Sequence, residues 1–229
     1  MKIAVLGTGS VGQALAGKLL SLGHDVVIGT RNPAESEART EPDGWGNPAI
    51  GTWLKANSKA TLLPYAEAAA FAEEFIFHAM NGRNAILSLE MAGAQNLEGK
   101  ILIDITNPLD FSAGFPPSLF VCNTDSLGEQ IQAAFPGLKV VKSLNTMANA
   151  VMVNPKLVSG QHNVFVNGND ETAKEKVKNL LQTFGWQSEQ ILDLGDITAS
   201  RGVEMLLPFW VRTYARFKTG NFNYHINFG

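Results

Sequence analysis

Cysteine occurs once in the 229 residues, as Cys122, which excludes a disulfide within the chain. The four histidines, His24, His78, His162 and His225, show no metal-ligand spacing, so neither a disulfide nor a bound metal is expected. Positive charge is scarce as well. The 18 Lys and Arg against 21 Asp and Glu leave a formal charge of −3, and the isoelectric point is near 5.8. There is thus no basic footprint for nucleic acid and no polybasic stretch for a membrane surface. No apolar run approaches the roughly 18 residues of a membrane span, and neither a cationic leader nor a lipidation box is visible. A cytoplasmic protein whose partners are small molecules is the expectation that remains. With 45% hydrophobic residues against 17% charged, the chain can bury one large domain, or a domain with a smaller annex.

Strand and helix patterns alternate along it, with no internal repeat or low-complexity tract. Residues 2–7 read as a buried strand, and apolar residues at Val11, Ala14, Leu15, Leu19 and Leu22 form a helical stripe ended by Gly23. Further strands are expected in "HDVVIGT", at 60–63, and in "EEFIFHAM", "KILIDIT" and "KVVKSL", with helices from Pro64, near 83–92 and in "SLGEQIQAAF". Such alternation calls for a mostly parallel sheet with right-handed crossovers. In the last third, "NVFVNG" and "SEQILDLG" read as strands flanking a helix in "DETAKEKVKNLLQTFG", which has an acidic start and a glycine stop. A boundary near Asn145 divides residues 1–144 from a small C-terminal domain, 145–229; no linker marks it, and the two parts can share one sheet.

The run "GTGSVG", Gly7 to Gly12, lies between the first strand and the first helix. A G-x-G-x-x-G is weak alone, but its first glycine here ends a strand and its third falls in the first turn of a helix, as a dinucleotide fingerprint requires. Gly7 permits the tight turn, Gly9 lets the backbone approach a pyrophosphate, and Gly12 lets the helix pack closely on the strand. The helix N-terminus offers unpaired N–H groups to the anion. The fold class expected is therefore α/β, a Rossmann-type doubly wound sheet with a small C-terminal α/β domain.

NAD sites place an acid at the end of the second strand. This chain has "GTRN" there: Thr30 offers a hydroxyl, Arg31 a guanidinium and Asn32 an amide, a set that suits the 2′-phosphate of NADP(H). The competing reading makes Arg31 a solvated surface charge.

The opening run through "GTRNP", together with "KVVKSLNTM", "VFVNGNDETAKEKVKNLL" and "LDLGDITASRGVEMLLP", resembles the NADP oxidoreductases dependent on the deazaflavin coenzyme F420. The likeness covers nearly the whole chain and is most specific in its first segment. It implies hydride transfer between NADP(H) and a deazaflavin by a Rossmann domain with a small C-terminal domain, in a homodimer. By resemblance Thr8, Gly9, Ser10, Val11, Thr30 and Arg31 fall on the NADP site. Where archaeal members tend to carry a His-Thr pair after the "KVV" strand, this chain has Asn145-Thr146, and it looks more like the bacterial branch. A related cofactor domain occurs in membrane ferric reductases.

Hydride transfer needs two rings held together in a dry pocket rather than an acid or a base. Ligand contacts are expected from loops beyond the carboxyl ends of the strands, "HAMNGR", "ITNPLD" and "LNTMAN". They add Met80, Asn107 and Pro108 to the cofactor set, and Asn81, Asn145 and Thr146, with Leu207, to that of a deazaflavin, flavin-like or other small acceptor. The asparagines can equally cap turns. His78 is a candidate proton donor, or a satisfied buried histidine. Lys142 either acts as an acid or points to solvent, and Cys122 reads as a buried or inert thiol.

"DITASRGVEMLLPFWVRTYARFKTG" predicts a long helix capped by Asp196, apolar nearly all round its middle, hence buried on more than one side, and kinked at Pro208. It suits a core helix, a pocket wall or a dimer contact. Residues 35–59 fit no strand and read as a flap or a loop with a short helix at "IGTWLKAN", whose Trp45 and Trp53 stack on a ring or pack the loop down. Two other functions fit the same residues, a reductase of small hydroxyacids or imines and a redox sensor that binds NADP(H) without turnover.

Overall fold

The computed structural model describes residues 1–44 and 46–229; Trp45 lies outside the described residues. The chain runs through strand β1 (Lys2–Leu6), helix α1 (Ser10–Ser21), β2 (Asp25–Thr30), α2 (Pro33–Glu37), α3 (Ile50–Ala56), β3 (Thr61–Pro64), α4 (Tyr65–Phe71) and β4 (Phe75–His78). Helices α5 (Ala85–Ala92) and α6 (Ala94–Leu97) lead to β5 (Ile101–Asp104), a hairpin of β6 (Leu109–Asp110) and β7 (Ser118–Leu119), α7 (Leu127–Ala134) and β8 (Lys139–Ser143). Then follow α8 (Asn149–Val153), β9 (Val164–Gly168), α9 (Glu171–Phe184), β10 (Ile191–Asp193) and α10 (Ser200–Phe217).

Eight strands form one sheet in the order β10-β9-β8-β5-β4-β1-β2-β3. Every neighbouring pair is parallel except β8 and β9. The mostly parallel sheet expected from the sequence is therefore present, and it continues across the boundary expected near Asn145, since β8 pairs with β9. Strands buried on both faces must be apolar at successive positions. Ile3 and Val5 of β1 face one core with Leu15 and Leu19 of α1, while Ala4 and Leu6 face the other with Tyr65 and Ala68 of α4. After β1 the chain winds outward to β2 and β3, then returns to place β4 on the other side of β1. That reversal opens a crevice at the carboxyl ends of β1 and β4, where ligands enter folds of this kind.

Every strand and helix named from the sequence has its counterpart, while α2, α6, α8 and the β6–β7 hairpin are additions. The C-terminal helix departs from expectation. It starts at Ser200, after a 3-10 turn at Ile197–Ala199 capped by Asp196, and continues through Pro208. It is amphipathic rather than apolar all round: Val203, Leu207 and Val211 are buried, but Phe209 is 62% and Phe217 69% exposed. Arg201, Arg212 and Arg216 interrupt the apolar run, and the outer face of Phe209 meets only the ring of Tyr224, 6.1 Å away, among the ring contacts of the described residues. Trp53 packs against the core from α3.

Two glycines of α1 should respond to alanine in opposite directions. A Cβ at Gly12 would overlap the Gly7 carbonyl, whereas one at Gly17 would touch the Trp53 ring at an ordinary 3.7 Å. In urea unfolding, Gly12→Ala is expected to lose about 1 to 3 kcal/mol through overpacking, and Gly17→Ala to gain about 0.5 to 1 kcal/mol of helix propensity.

Candidate active site

At the carboxyl end of β1 the chain turns at Gly7, with φ +124°, and a Cβ there would overlap the Ala79 carbonyl. Gly12 is fixed by its approach to Gly7, but a Cβ on Gly9 would meet nothing within 4 Å. The open space over Gly9 is therefore not needed by the fold, and it lies at the N-terminus of α1, where backbone N–H groups are unpaired. Gln13 pins this loop, donating from Nε2 to the carbonyls of Thr8 and Pro48, both at 3.0 Å.

A cleft of about 500 Å³ leads away from Gly9, between Thr8 and Ser10 on one side and Arg39, Asp43 and Pro48 on the other. Thr30, at the end of β2, shares a hydrogen bond of 2.7 Å with Ser36. Arg39 donates from Nη2 to Thr8 Oγ1 at 2.9 Å and to Ser36 Oγ at 3.1 Å. Arg31 stands exposed beside them. Asn32 caps α2, its side chain accepting from Glu35 N. Ser36 and Arg39 were not singled out in the sequence. The available signal was the pair Asn32-Pro33, a cap followed by proline in the first turn, which starts the short helix that carries Arg39 back to the glycine loop.

On the other side of Val11 two adjoining cavities open. The smaller, about 150 Å³, is lined by Ala79 and Met80 after β4, Asn107 after β5, Asn145 and Met147 after β8, and Leu207 of α10. Asn107 and Asn145 are bound to one another: Asn107 Nδ2 donates to the Asn145 carbonyl at 2.9 Å, and Asn145 Nδ2 to Asn107 Oδ1 at 3.0 Å. The larger cavity, about 480 Å³, shares Val11, Met147 and Trp210 with the smaller and is walled by Phe111, Phe115 and Tyr214. A C-terminal segment absent from the sequence reading completes it. Gly220 and Asn221 line the cavity, Phe222 stacks on Trp210 at 5.5 Å, and Trp210 stacks on Tyr214 at 5.4 Å. Asn163 holds the segment, donating from its backbone N to the Tyr224 carbonyl and accepting at Oδ1 from Ile226 N.

Residues 2–108 match the family described as NADP oxidoreductase, coenzyme F420-dependent. Over its full length the chain is 51% identical to a protein from Arthrobacter sp. FB24 described provisionally as an F420-dependent NADP-reductase, whose crystal structure it covers completely with a TM-score of 0.93. The chain belongs to the coenzyme F420-dependent NADP oxidoreductases. It is also 28% identical over 216 residues to the metalloreductase STEAP3 of Rattus norvegicus, covering 91% of this chain and 38% of that protein. The chain thus spans well under half the length of the metalloreductases it matches, and among the described residues no helix is long and apolar enough to cross a membrane. An imine reductase from Aspergillus terreus shares the fold, with a TM-score of 0.61 at 19% identity over 95% of this chain and 63% of that one.

The loops of this oxidoreductase are tied together by a charge that no water reaches. Lys142, near the end of β8, is fully buried rather than turned to solvent. Its ammonium donates to Asp104 Oδ2 of β5 at 2.9 Å and to the Thr106 carbonyl at 2.6 Å, and it pairs with Glu204 of α10 at 2.8 Å. Three acceptors match its three N–H bonds. Asp104 Oδ1 accepts from the N and Oγ1 of Thr106. Glu204 also accepts the backbone N–H groups of Leu127 and Gly128, in the first turn of α7. The loop carrying Asn107 and the strand end carrying Asn145 are therefore anchored to one ion. Between Lys142 and Asn145 the buried Leu144 takes φ +64°, a left-handed conformation that costs a non-glycine residue about 1 to 2 kcal/mol.

His78 is buried at the end of β4, its Nε2 3.0 Å from Ser88 Oγ, and its Nδ1 stands 3.5 Å from Asp104 Oδ1, too far for a good hydrogen bond. It is not among the residues lining the two cavities. Asn81 turns its side chain to the N–H of Arg83 as a cap, Thr146 is buried, and the Pro108 carbonyl accepts from Phe120 N. Cys122, expected to be buried or inert, is exposed, because the chain between β7 and α7 runs over the surface.

Burial pushes the Asp104 carboxyl up, but the Lys142 ammonium outweighs it and holds it below its ordinary value of 3.8. Burial pushes Lys142 down, yet Asp104 and Glu204 raise it above 10.5. Asp104 therefore contributes fully above pH 3.8, with the loss coming as pH falls through its depressed folded value. Lys142 contributes fully below pH 10.5, and is lost as pH climbs through its raised value. Lys142→Met, which strands two carboxylates, is expected to lower stability by about 3 to 5 kcal/mol at neutral pH and to remove the alkaline loss. Urea unfolding of both proteins across pH checks it.

Proposed function

We propose that the protein is an NADPH-dependent oxidoreductase that reduces a planar, flavin-like ring. The observation that carries this reading is the glycine loop, where Gly9 alone of the three fingerprint glycines faces open space. Gly7, Thr8, Gly9, Ser10 and Val11 would hold the pyrophosphate against α1, and Thr30, Ser36, Arg31 and Arg39 would hold the 2′-phosphate. An acid is absent among Thr30, Arg31 and Asn32, where it would repel that phosphate. Asn107, Asn145, Met80 and Leu207 line the space the nicotinamide would occupy. When bound, NADPH supplies a hydride to the acceptor ring and leaves as NADP⁺, while the acceptor takes one proton from water.

The chain's own part is orientation. The reciprocal amide pair of Asn107 and Asn145 fixes two loops, so the smaller cavity keeps its shape without a ligand. Val11, Met147 and Trp210, shared by both cavities, would bear on both rings and keep water from the space where they meet. No acid or base is assigned. Solvent supplies the proton at the open side of the larger cavity.

Two measurements test the cofactor assignment. Arg31→Ala and Arg39→Ala are each expected to weaken NADPH binding by about 1.5 to 3 kcal/mol, the worth of a charged hydrogen bond, with NADH affinity nearly unchanged. Equal losses for both dinucleotides in calorimetry would take these arginines off the 2′-phosphate. Gly9 has the extended φ −74°, ψ −179° that valine adopts freely. Gly9→Val is therefore expected to fold with an unchanged melting temperature and to bind neither dinucleotide. Retained binding would leave "GTGSVG" as a turn.

A further inference from the structure

We infer that the larger cavity is built for an uncharged planar heteroaromatic acceptor, one whose ring carries no phosphate or carboxylate tail. The inference rests on the reading of the protein as an NADPH-dependent reductase and narrows its substrate class.

The walls supply the first argument. Phe111, Phe115, Trp210 and Tyr214 give the cavity flat apolar surfaces, and the near-parallel stack of Trp210 on Tyr214, 9° apart, already sets the plane in which a ring would extend it. Of the amides in its lining, Asn47 is engaged with Asp43, and Asn149 with the Ser10 carbonyl and the Ala150 N–H, which leaves the amide of Asn221 as the kind of group that addresses a ring carbonyl or ring N–H. Trp210, at the seam of the two cavities, keeps a buried indole N–H with no acceptor among the described residues. At about 480 Å³ the cavity falls within the size range of small-molecule sites, about 300 to 1,000 Å³.

Charge supplies the second. Among the described residues lining either cavity there is no Lys, Arg or His, and the one charged side chain is the carboxylate of Asp43. Asn47 fixes Asp43 in place, donating from its backbone N at 2.9 Å and from Nδ2 at 2.9 Å. Arg39 belongs to the cleft on the far side of the glycine loop, and Arg83, on the loop after β4, is paired with Asp110 at 2.7 Å. A phosphate entering the larger cavity would lose water and find no cation, which is a penalty against anionic ligands in itself; Asp43 lines the cleft beside Arg39 as well, so the difference between the two lies in the cations. The protein concentrates its phosphate-binding groups at one end of the groove and keeps them from the other.

Riboflavin and FMN share one ring system and differ by a phosphate, so they isolate the claim, and F420 adds a ring with a polyanionic tail. Calorimetric titration of each into the protein saturated with NADP⁺ is expected to give a Kd for riboflavin at least tenfold below those of FMN and F420. Affinity for FMN or F420 equal to or above that for riboflavin overturns the inference, as does binding of none of the three. Failure of NADP⁺ itself to bind instead overturns the reductase reading beneath it. Asn221→Arg places a cation at the cavity rim, where the side chain is exposed. It is expected to raise FMN affinity and bring the riboflavin-to-FMN ratio toward one. An unchanged ratio would show that charge does not set the preference.

Discussion

The Lys142 ammonium lies where no solvent reaches it, and a charge in that position is tolerated only when its surroundings are built around it. Its three acceptors come from β5, the loop after β5, and α10, so the ion fixes the spacing of elements far apart in the sequence. Glu204 extends the reach to α7, whose first N–H groups it accepts at a helix terminus that favours negative charge. Arg201, one turn away on α10, grips Glu129 of α7 in a bidentate pair. An apolar trio of similar volume would hold these elements with comparable free energy. What the ion adds is direction, since each bond fixes an angle as well as a distance. Both asparagines of the smaller cavity hang from strand ends that this ion has already placed.

The groove changes character along its length, with Ser10 and Asp43 common to both parts. From Arg31 and Arg39 to the helix N-terminus at Gly9 it is a run of hydrogen-bond donors. From Val11 to Phe115 and Tyr214 it is aromatic and amide-lined. Topology makes this possible: β1 and β4 are neighbours in the sheet although their outgoing connections lead to opposite sides, so loops of different composition meet across one crevice.

Local features were legible in the sequence, and those made by distant neighbours were not. The glycine fingerprint, the alternation of strands and helices, Thr30 and Arg31 all declare themselves within a few residues of chain. Arg39 does not, because its value depends on a five-residue helix turning it back onto Thr8. Lys142 reads as an ordinary strand lysine until Asp104 and Glu204, 38 residues before it and on the last helix, are set beside it. The C-terminal helix carries enough apolar residues to look buried on all sides, yet its periodicity leaves Phe209 outward. The segment after it has no regular element and is held by Asn163, His162, the Leu206 carbonyl and stacked rings, and sequence patterns of period 2 or 3.6 carry no trace of such a strap.

Val11 and Trp210 line the same cavity from almost opposite ends of the chain. No partly folded intermediate that lacks either end contains the cavity at all, and closing so long a loop is entropically the last step to be rewarded. The cavity is in this sense a property of the finished molecule, cooperative with its global stability, whereas the glycine loop is drawn from residues next to one another in the first strand and helix.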